Sequence, residues 1–397
     1  MSRVWRTWAV LILFALGTSL ITPLIPLYQE RDGFGDTVVA LFMLCYVAAL
    51  VPSMLTLGQL SDRIGRKPIL IAGLLVLGTA QVYLAFEPPL AGVLAARGVQ
   101  GVAMGAFAGT CTAFLIDATP PGQRAFVSSL AAISIRGGLG LGPGVAGVIA
   151  QYSARPLSVP FTFHLVALAA AFVMVVMLPE TVTEKSARPL TLRLEVPEAE
   201  RAVFWHVLVP SGMLFSLFDG VALSLVPVFL RRDIGVENLA LIGASGFLVL
   251  VAGAVAQAVL YKVPPEPAIG WGLIIAATAS AGVVVSAPLG SATLTLVAVA
   301  LTGAAGGMVF KGGSDLCTLI APPQDRGKLI SSYYVACYLG GFSVPLLVIG
   351  VLSDIIGLAA ALGCLTVVAI ISAIWTWRIG LRSVHALSSP EVGAPQA

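Results

Sequence analysis

The sequence predicts an all-α membrane protein with twelve transmembrane helices arranged as two pseudo-symmetric six-helix bundles. Three observations support this prediction: the composition, the length of the apolar segments and an internal repeat. Of the 397 residues, 58% are hydrophobic and only 10% are charged, and the mean hydropathy is +0.98. A water-soluble protein contains about 25% charged residues. Most of the surface of this chain is therefore expected to face lipid.

The apolar segments are long enough to cross a bilayer. A hydrocarbon core of about 30 Å needs roughly 20 apolar residues in helical conformation. The segments are continuously apolar and do not alternate with polar residues, so they predict helices and not barrel strands. The twelve predicted spans are 5–28, 37–57, 69–86, 90–116, 125–151, 160–178, 204–230, 238–260, 268–287, 291–316, 328–352 and 357–379.

The first span predicts a signal anchor and not a cleavable signal peptide. It is longer than an h-region of about 7–15 residues, and it continues through Pro23 and Pro26 with no small-x-small cleavage site. The distribution of basic residues predicts the orientation. With the N-terminus inside, fifteen of the 22 lysine and arginine residues lie in cytoplasmic segments and four lie outside. The positive-inside rule therefore places both termini in the cytoplasm, in a cell (inner or plasma) membrane.

An internal repeat supports the division into two halves. Pro120-Pro121-x-x-Arg124 recurs 202 residues later as Pro322-Pro323-x-x-Arg326. In the same register Ser129, Gly138 and Pro143 recur as Ser331, Gly340 and Pro345. The fifth span therefore corresponds to the eleventh, as in a duplicated six-helix unit. The predicted units are a bundle at 1–180, a cytoplasmic linker at 181–203, a second bundle at 204–382 and a cytoplasmic tail at 383–397.

The loop after the second span contains a recognisable pattern, which includes Gly58, Asp62, Arg63, Gly65 and Arg66. Glycines allow helices to approach closely and the chain to turn sharply. Asp62 is expected at a helix N-terminus, where it would accept hydrogen bonds from free amides, and Arg66 is expected to pair with a carboxylate. The alternative is a solvated loop that only sets orientation. The spacing is similar to the major facilitator superfamily signature between helices 2 and 3.

Further segments resemble the same superfamily, over about residues 5–380. They are Arg97-Gly98-Val99-Gln100-Gly101, the exporter-like Gly138-x-x-x-Gly142-Pro143-x-x-x-Gly147, and Leu178-Pro179-Glu180-Thr181. The resemblance, which is to drug/proton antiporters in particular, implies a monomer with a cavity between its halves and alternating access. It also implies a cytoplasmic gate at Asp62 and Arg66, completed by Asp117. The exporter motif departs from the family in lacking paired glycines at its end, and the second-half loop signature is degraded at Leu260–Pro264.

Three ionisable residues lie deep within predicted spans: Arg97, Arg136 and Asp219. Each costs roughly 2.5–3.5 kcal/mol at the membrane centre, so each needs a partner or a watery cavity. One interpretation is a buried pair, Asp219 with Arg136 or Arg97, that only locks helices together. The other is that burial favours the protonated form of Asp219, which then carries a proton in competition with substrate.

The eleventh span offers candidate cavity residues. Tyr334 and Tyr338 share one helix face, which predicts either a cavity wall or ordinary helix packing. Arg326, just before this span, is expected to join the cytoplasmic charge cluster. Lys311 and Asp315, four residues apart, predict a local ion pair near the inner gate. His164 is expected to have an interfacial role because it lies near a helix end.

The same sequence gives no support for an enzyme. It lacks zinc-hydrolase, nucleophile-elbow and Walker-A patterns, and its five cysteines lie in apolar segments without metal-ligand spacing. It predicts no cofactor, metal or nucleic-acid partner. The lack of a Walker-A pattern argues against ATP-driven pumping by this chain, so transport energy must come from an ion or substrate gradient. The leading hypothesis is proton-coupled export of a small amphipathic organic compound by a protein in contact with membrane lipid. The alternatives are uptake or facilitated diffusion of a metabolite such as a sugar or organic acid, and a non-transporting receptor or scaffold.

Overall fold

The computed structural model describes residues 2–182, 194–322 and 325–380. Within these residues, twelve helical segments are long and apolar enough to cross a membrane. We number them α1 Val4–Asp32, α2 Asp36–Ile64, α3 Arg66–Ala85, α4 Leu90–Asp117, α5 Phe126–Gln151, α6 Val159–Val176, α7 Glu198–Arg232, α8 Leu239–Val259, α9 Pro265–Ser286, α10 Ala292–Ile320, α11 Arg326–Ile356 and α12 Leu358–Arg378. The predicted fold class is confirmed. Much of the predicted linker (183–193) and the whole tail (383–397) lie outside the described residues.

Span α1 is not a continuous helix. It consists of a helix at Ser2–Gly17, a short 3₁₀ turn at Thr22–Leu24 and a second helix at Ile25–Asp32. Such a break frees backbone carbonyls, which cannot be solvated inside a membrane. Side chains of neighbouring helices donate to them: Gln81 Nε2 to the Gly17 carbonyl at 2.8 Å, and Arg97 Nη1 to the Thr18 carbonyl at 2.7 Å. The break in α1 is therefore stabilised by hydrogen bonds from polar side chains of α3 and α4.

The two halves face each other mainly through two helix pairs, α5 with α8 and α2 with α11. The α5–α8 contact is close because small residues meet there. A Cβ added at Gly147 would lie 2.5 Å from the Leu239 carbonyl oxygen, and one added at Gly243 would lie 2.3 Å from that of Pro143. We call the end that carries Asp36, Arg232 and Asp354 the outer end, and the end that carries Asp62, Arg66 and Glu180 the inner end. The charge pattern predicts that the inner end is cytoplasmic.

The repeat seen in the sequence has a structural counterpart at the starts of α5 and α11. Arg124 Nε donates to the Thr119 carbonyl at 3.3 Å, and Arg326 Nε donates to the Ala321 carbonyl at the same distance. The repeat is less regular further along, because Pro143 lies inside a continuous helix whereas α11 is broken between Gly341 and Val344. The two halves thus share the same local structure before α5 and α11, but α5 is continuous and α11 is broken.

Candidate functional site

A cavity of about 210 Å³ lies between the two halves, near the middle of the spans. Its wall is mostly apolar, with a few polar side chains and three charged ones. It is lined by Thr18, Ser19, Thr22, Met43, Tyr46, Val47, Leu50, Arg97, Met104, Ala132, Ile135, Arg136, Leu139, Phe215, Ser216, Asp219, Leu223, Leu250, Gln257, Phe310, Tyr334, Cys337, Tyr338 and Phe342. The cavity therefore contains all five residues that the sequence placed in the substrate and proton site.

Arg136 and Asp219 form an ion pair across this cavity. Arg136 Nη2 lies 2.8 Å from Asp219 Oδ2 and 3.0 Å from Oδ1. Asp219 is only 2% exposed, so its charge depends on this partner. Arg136 lies on α5 and Asp219 on α7, which makes the pair a direct electrostatic link between the first and second halves. Arg136 packs against Gly253 of α8, where a Cβ would lie 2.3 Å from Nε.

Arg97, the other candidate partner for Asp219, is held differently. Its Nε donates to the Phe42 carbonyl at 3.2 Å, and its Nη1 donates to the Thr18 carbonyl and to Gln100 Oε1. Its guanidinium also lies 4.5 Å from the centre of the Tyr46 ring. All these acceptors are neutral, and none of the ion pairs among the described residues includes Arg97. Arg97 therefore brings an uncompensated positive charge to the cavity wall.

An aromatic wall from the second half closes one side of the cavity. The ring of Tyr334 stacks on Phe310 with centroids 5.3 Å apart, and Tyr338 stacks on Phe342 at 6.0 Å. Tyr334 and Tyr338 line the cavity and also pack on neighbouring rings. This helix face is therefore both a cavity wall and a packing surface. The wall offers flat apolar surface with hydroxyl groups at its edges.

At the inner end, the loop between α2 and α3 carries a charge cluster confined to the first half. Arg66 Nη1 lies 2.5 Å from Asp62 Oδ1, and Arg66 Nε lies 3.3 Å from Asp117 Oδ2. Ser61 Oγ accepts a further hydrogen bond from Arg66 Nη1 at 2.6 Å. The structure thus brings together Asp62, Arg66 and Asp117.

The prediction that Asp62 lies at a helix N-terminus is wrong. Asp62 lies in the last turn of α2, and the N-terminus of α3 is capped by Glu180. The Glu180 carboxylate accepts the amides of Arg66 and Lys67, each at 3.0 Å. Burial raises the pKa of the Glu180 carboxyl, but the amides of Val182, Arg66, Lys67 and Thr181 outweigh it and lower the pKa below its usual value. The sequence missed this role because Glu180 is distant along the chain.

The remaining residues of the predicted gate differ in their surroundings. A Cβ on Gly58 would meet nothing within 4 Å, so Gly58 does not mark a close helix contact here. Arg63 lies in the last turn of α2, beside Asp62. Among the described residues, the hydrogen bond of Arg326 goes to its own loop and not to the Asp62 cluster. Lys311 does pair with Asp315, at 2.7 Å.

The glycine-proline motif of α5 faces two helices. A Cβ at Gly138 would lie 2.9 Å from the Ala15 side chain, and one at Gly142 would lie 2.4 Å from the Leu16 carbonyl oxygen, both on α1. Gly147 and Pro143 instead contact α8, in the other half. The motif thus lets α5 pack tightly on its own bundle and on the facing one.

His164 departs from its predicted interfacial role. It is fully buried, and its Nε2 forms a hydrogen bond of 2.9 Å with the Leu13 carbonyl oxygen. Its ring lies against Gly17, where a Cβ would be 1.8 Å from Cε1. His164 therefore packs at the break of α1, which the apolar sequence around Gly17 did not reveal.

The outer end holds a charged network that the sequence reasoning did not identify. Asp36, at the start of α2, is 1% exposed and pairs with Arg232 of α7 through Oδ2 and Nη2 at 2.9 Å. It also accepts from Gln29 at 3.0 Å and from Ser353. The available indication was an acidic residue directly after Gly35 at a predicted span start. This network joins the two halves, unlike the inner charge cluster.

In residues 2–182, 194–322 and 325–380, no group of three or more His, Cys, Asp or Glu side chains could hold a metal ion. The wall of the cavity offers the Asp219 carboxylate together with hydrogen-bonding groups and aromatic surface. Three donor-bearing atoms of cavity residues have no hydrogen-bond partner: Arg136 Nε, Ser216 Oγ and Gln257 Nε2.

Comparison with known proteins agrees with this architecture. The model of the Major Facilitator Superfamily matches residues 7–345. Quinolone resistance protein NorA of Staphylococcus aureus (strain MRSA252) is 27% identical over 208 residues, 51% of this chain and 51% of the relative. Inner membrane transport protein YajR of Escherichia coli (strain K12) is 27% identical over 248 residues, 62% of this chain and 49% of the relative. The chain thus spans about half the length of the curated relatives it matches.

Solved structures share the fold over nearly the whole chain. A bacterial homolog of the human lysosomal transporter Spinster superposes with a TM-score of 0.78 at 15% identity, covering 98% of each chain. The human organic anion transporter MFSD10 superposes with a TM-score of 0.64 at 18% identity, covering 94% of this chain and 98% of that one. At these identities the similarity establishes the arrangement of helices.

Proposed function

Because the chain belongs to the major facilitator superfamily, we propose that it is a secondary transporter that exports a small amphipathic organic compound in exchange for protons. Its relatives include an inner membrane transport protein and a quinolone resistance protein. The glycine-proline motif of α5 supports export over uptake by its resemblance to exporters. In this scheme residues 1–180 and 204–382 rock against each other as two units of a monomer in the plasma membrane, with both termini cytoplasmic.

The observation that carries the proposal is the Arg136–Asp219 ion pair, buried in the cavity and shared between the halves. A proton on Asp219 neutralises the carboxylate and removes the attraction that holds Arg136 across the interface. A cationic or hydrogen-bonding group of the substrate that binds this carboxylate must displace the proton. Competition for one carboxylate is the thermodynamic basis of antiport.

The substrate class is inferred from the wall of the cavity. Aromatic and aliphatic side chains provide most of the surface, and a small number of polar groups orient the ligand. Tyr334 and Tyr338 would stack on a flat apolar part of the compound. A polyanion such as a nucleotide has too few cationic partners here, since Arg97 and Arg136 are the only cationic side chains among the described residues that line the cavity.

The test uses the purified protein in liposomes with ethidium, an amphipathic cation, as the probe. We expect ethidium addition to release protons in the wild type and not in Asp219→Asn, while exchange of labelled for unlabelled ethidium continues. The matched control is Glu87→Gln, which removes a carboxylate that pairs with the exposed Arg155 at 3.4 Å. Unchanged proton release in Asp219→Asn would exclude Asp219 as the coupling residue. Absence of flux with every solute would favour a receptor or scaffold.

A second candidate function, proton-linked uptake of an organic acid, is supported by the charge of the cavity. Among the described residues, the charged side chains that line the cavity are Arg97, Arg136 and Asp219, so their formal net charge is one positive unit. The unpartnered donor-bearing atoms of Arg136, Ser216 and Gln257 also suit an acceptor-rich ligand. Protonation of Asp219 would make the cavity still more positive. An anion and a proton would then bind together and move in the same direction.

The sign of the pH dependence of binding separates the two candidates. The probes are ethidium and 4-(pyren-1-yl)butanoate, an amphipathic anion, with affinity measured by fluorescence on the detergent-solubilised protein. Between about pH 6 and pH 8 the carboxylic acid stays ionised. Antiport predicts that ethidium affinity falls as the pH falls and that the pyrene acid binds weakly. Uptake of an acid predicts tighter binding of the pyrene acid as the pH falls.

A further inference from the structure

The inner-end loop pattern occurs a second time in the chain, at the outer end. The end of α2 reads Gly58-x-Leu60-Ser61-Asp62-x-Ile64-Gly65, and the end of α11 reads Gly350-x-Leu352-Ser353-Asp354-x-Ile356-Gly357. The closing glycines adopt nearly the same backbone conformation, with φ +114° and ψ 154° at Gly65 and φ +87° and ψ 152° at Gly357. The two segments therefore share both sequence and local structure.

The residue after the closing glycine differs between the two segments, and the contacts of the aspartates differ accordingly. Arg66 comes after Gly65 and pairs with Asp62 of the same loop. Leu358 comes after Gly357, so Asp354 has no basic neighbour on that side. Its carboxylate instead crosses to the first half and accepts the amides of Asp36 and Thr37, at 2.7 and 2.9 Å. The Thr37 hydroxyl adds a third hydrogen bond, at 2.5 Å.

The two helix ends beside Asp354 have opposite effects on its negative charge. Asp354 lies in the last turn of α11, where the helix dipole disfavours a negative charge. It also lies at the N-terminus of α2, where free amides and the dipole favour one. Small residues permit the approach, since a Cβ at Gly35 would lie 2.7 Å from Asp354 Oδ1 and one at Gly350 would lie 2.8 Å from the Asp36 carbonyl oxygen. The carboxylate is therefore well placed only while the two halves meet at this end.

We infer that Asp354 is a positioning residue of the transport cycle, which holds the outer end closed by capping α2 from the opposite half. The neighbouring Ser353 supports it through its hydrogen bond to Asp36, whose charge is also paired with Arg232. Opening of the outer end separates Asp354 from the amides of α2, and closure restores the cap. The inference rests on the proposed alternating access of the two halves and not on the substrate or on proton coupling.

The experiment measures the distance between the halves at the outer end directly. Spin labels are placed at Phe86→Cys at the end of α3 and Leu289→Cys between α9 and α10, both of which are exposed, with the exposed Cys364 replaced by alanine. We expect Asp354→Asn to raise the population of long distances about tenfold over the wild type, without substrate or a pH gradient. Glu87→Gln, an outer-end carboxylate within one half, is the control and leaves the distribution unchanged.

A milder variant keeps the test decisive if Asp354→Asn does not fold. Thr37→Val removes one of the three hydrogen bonds to Asp354 and leaves both amides, so we expect a two- to threefold rise in the long-distance population. A distance distribution identical to the wild type in every folded variant overturns the inference. Because the assay needs no transported solute, failure of antiport alone would leave its result intact.

Discussion

The inner and outer ends of the bundle contain the same short sequence pattern but use it for different contacts. At the inner end, Asp62, Arg66, Asp117 and Glu180 all belong to the first half. The proposed movement of the two halves is therefore expected to leave their contacts intact. At the outer end, Asp354 reaches across to the first half. Only contacts of the second kind distinguish one conformational state from another, because a contact made equally in both states shifts no equilibrium.

The largest effect on stability is expected from substitution of the closing glycines, Gly65 at the inner end and Gly357 at the outer end. Their backbone region is nearly exclusive to glycine, so an alanine costs about 2 kcal/mol at either site. At Gly65 the new Cβ would also lie 2.5 Å from Glu180 Oε2, whereas at Gly357 it meets nothing within 4 Å. We expect Gly65→Ala to cost about 1 kcal/mol more, through the lost cap of α3. In detergent, the midpoint temperature of thermal unfolding should be lower for Gly65→Ala than for Gly357→Ala. Equal midpoints would contradict the role of Glu180 as the cap of α3.

The next effect should appear at the outer end and affect conformation more than folding. Arg232→Gln leaves the buried Asp36 without its cation, at a cost of about 2 kcal/mol because Arg232 is itself half exposed. Since the pair joins the halves, we expect roughly a 30-fold shift toward the open outer end, measured with the same spin labels.

Arg231→Gln is the matched control for that experiment. Arg231 pairs at 2.9 Å with Glu30, which is largely exposed, so we expect a change of less than about 0.5 kcal/mol. An equal shift in both variants would show that the burial of Asp36 does not matter.

The smallest effect concerns the cap at the inner end. Glu180→Gln should cost about 1 kcal/mol at neutral pH, since a neutral amide accepts the hydrogen bonds of Arg66 and Lys67 less strongly. The pKa of Glu180 is lowered in the folded protein, so its contribution is present above the pKa of the unfolded chain and lost as the pH falls through the folded value. The gap in unfolding midpoint between wild type and variant should therefore close in acid. A gap that is constant with pH would argue against a charge effect.

The sequence predicted the membrane spans well because hydrophobic length is a local property. The twelve helices match the predicted apolar segments, with the breaks in α1 and α11 as the main irregularities. It also identified Arg97, Arg136 and Asp219, since a charge within an apolar run is visible without any tertiary information. Tyr334 and Tyr338 were identified from their spacing of four residues. That spacing could not show whether they line a cavity or only pack against neighbouring helices.

The partners of these residues were not predictable from the sequence. Asp219 could have paired with either arginine, and 83 positions separate it from the one it contacts. Arg97 donates to the Thr18 carbonyl, which is free to accept because α1 is broken at that point. Likewise the expected cap at Asp62 is supplied by Glu180, and the cross-half role of Asp354 depends on how close α11 lies to the start of α2.

Composition and the length of the apolar segments by themselves determined that this chain is a bundle of twelve membrane helices with three costly charges in its interior. Tertiary structure alone decided which charge meets which partner, and whether a carboxylate links the halves or stays within one. The physical reason is range: hydrophobic transfer free energy adds up along one segment, whereas an ion pair or a helix cap requires two distant segments to lie within about 3 Å.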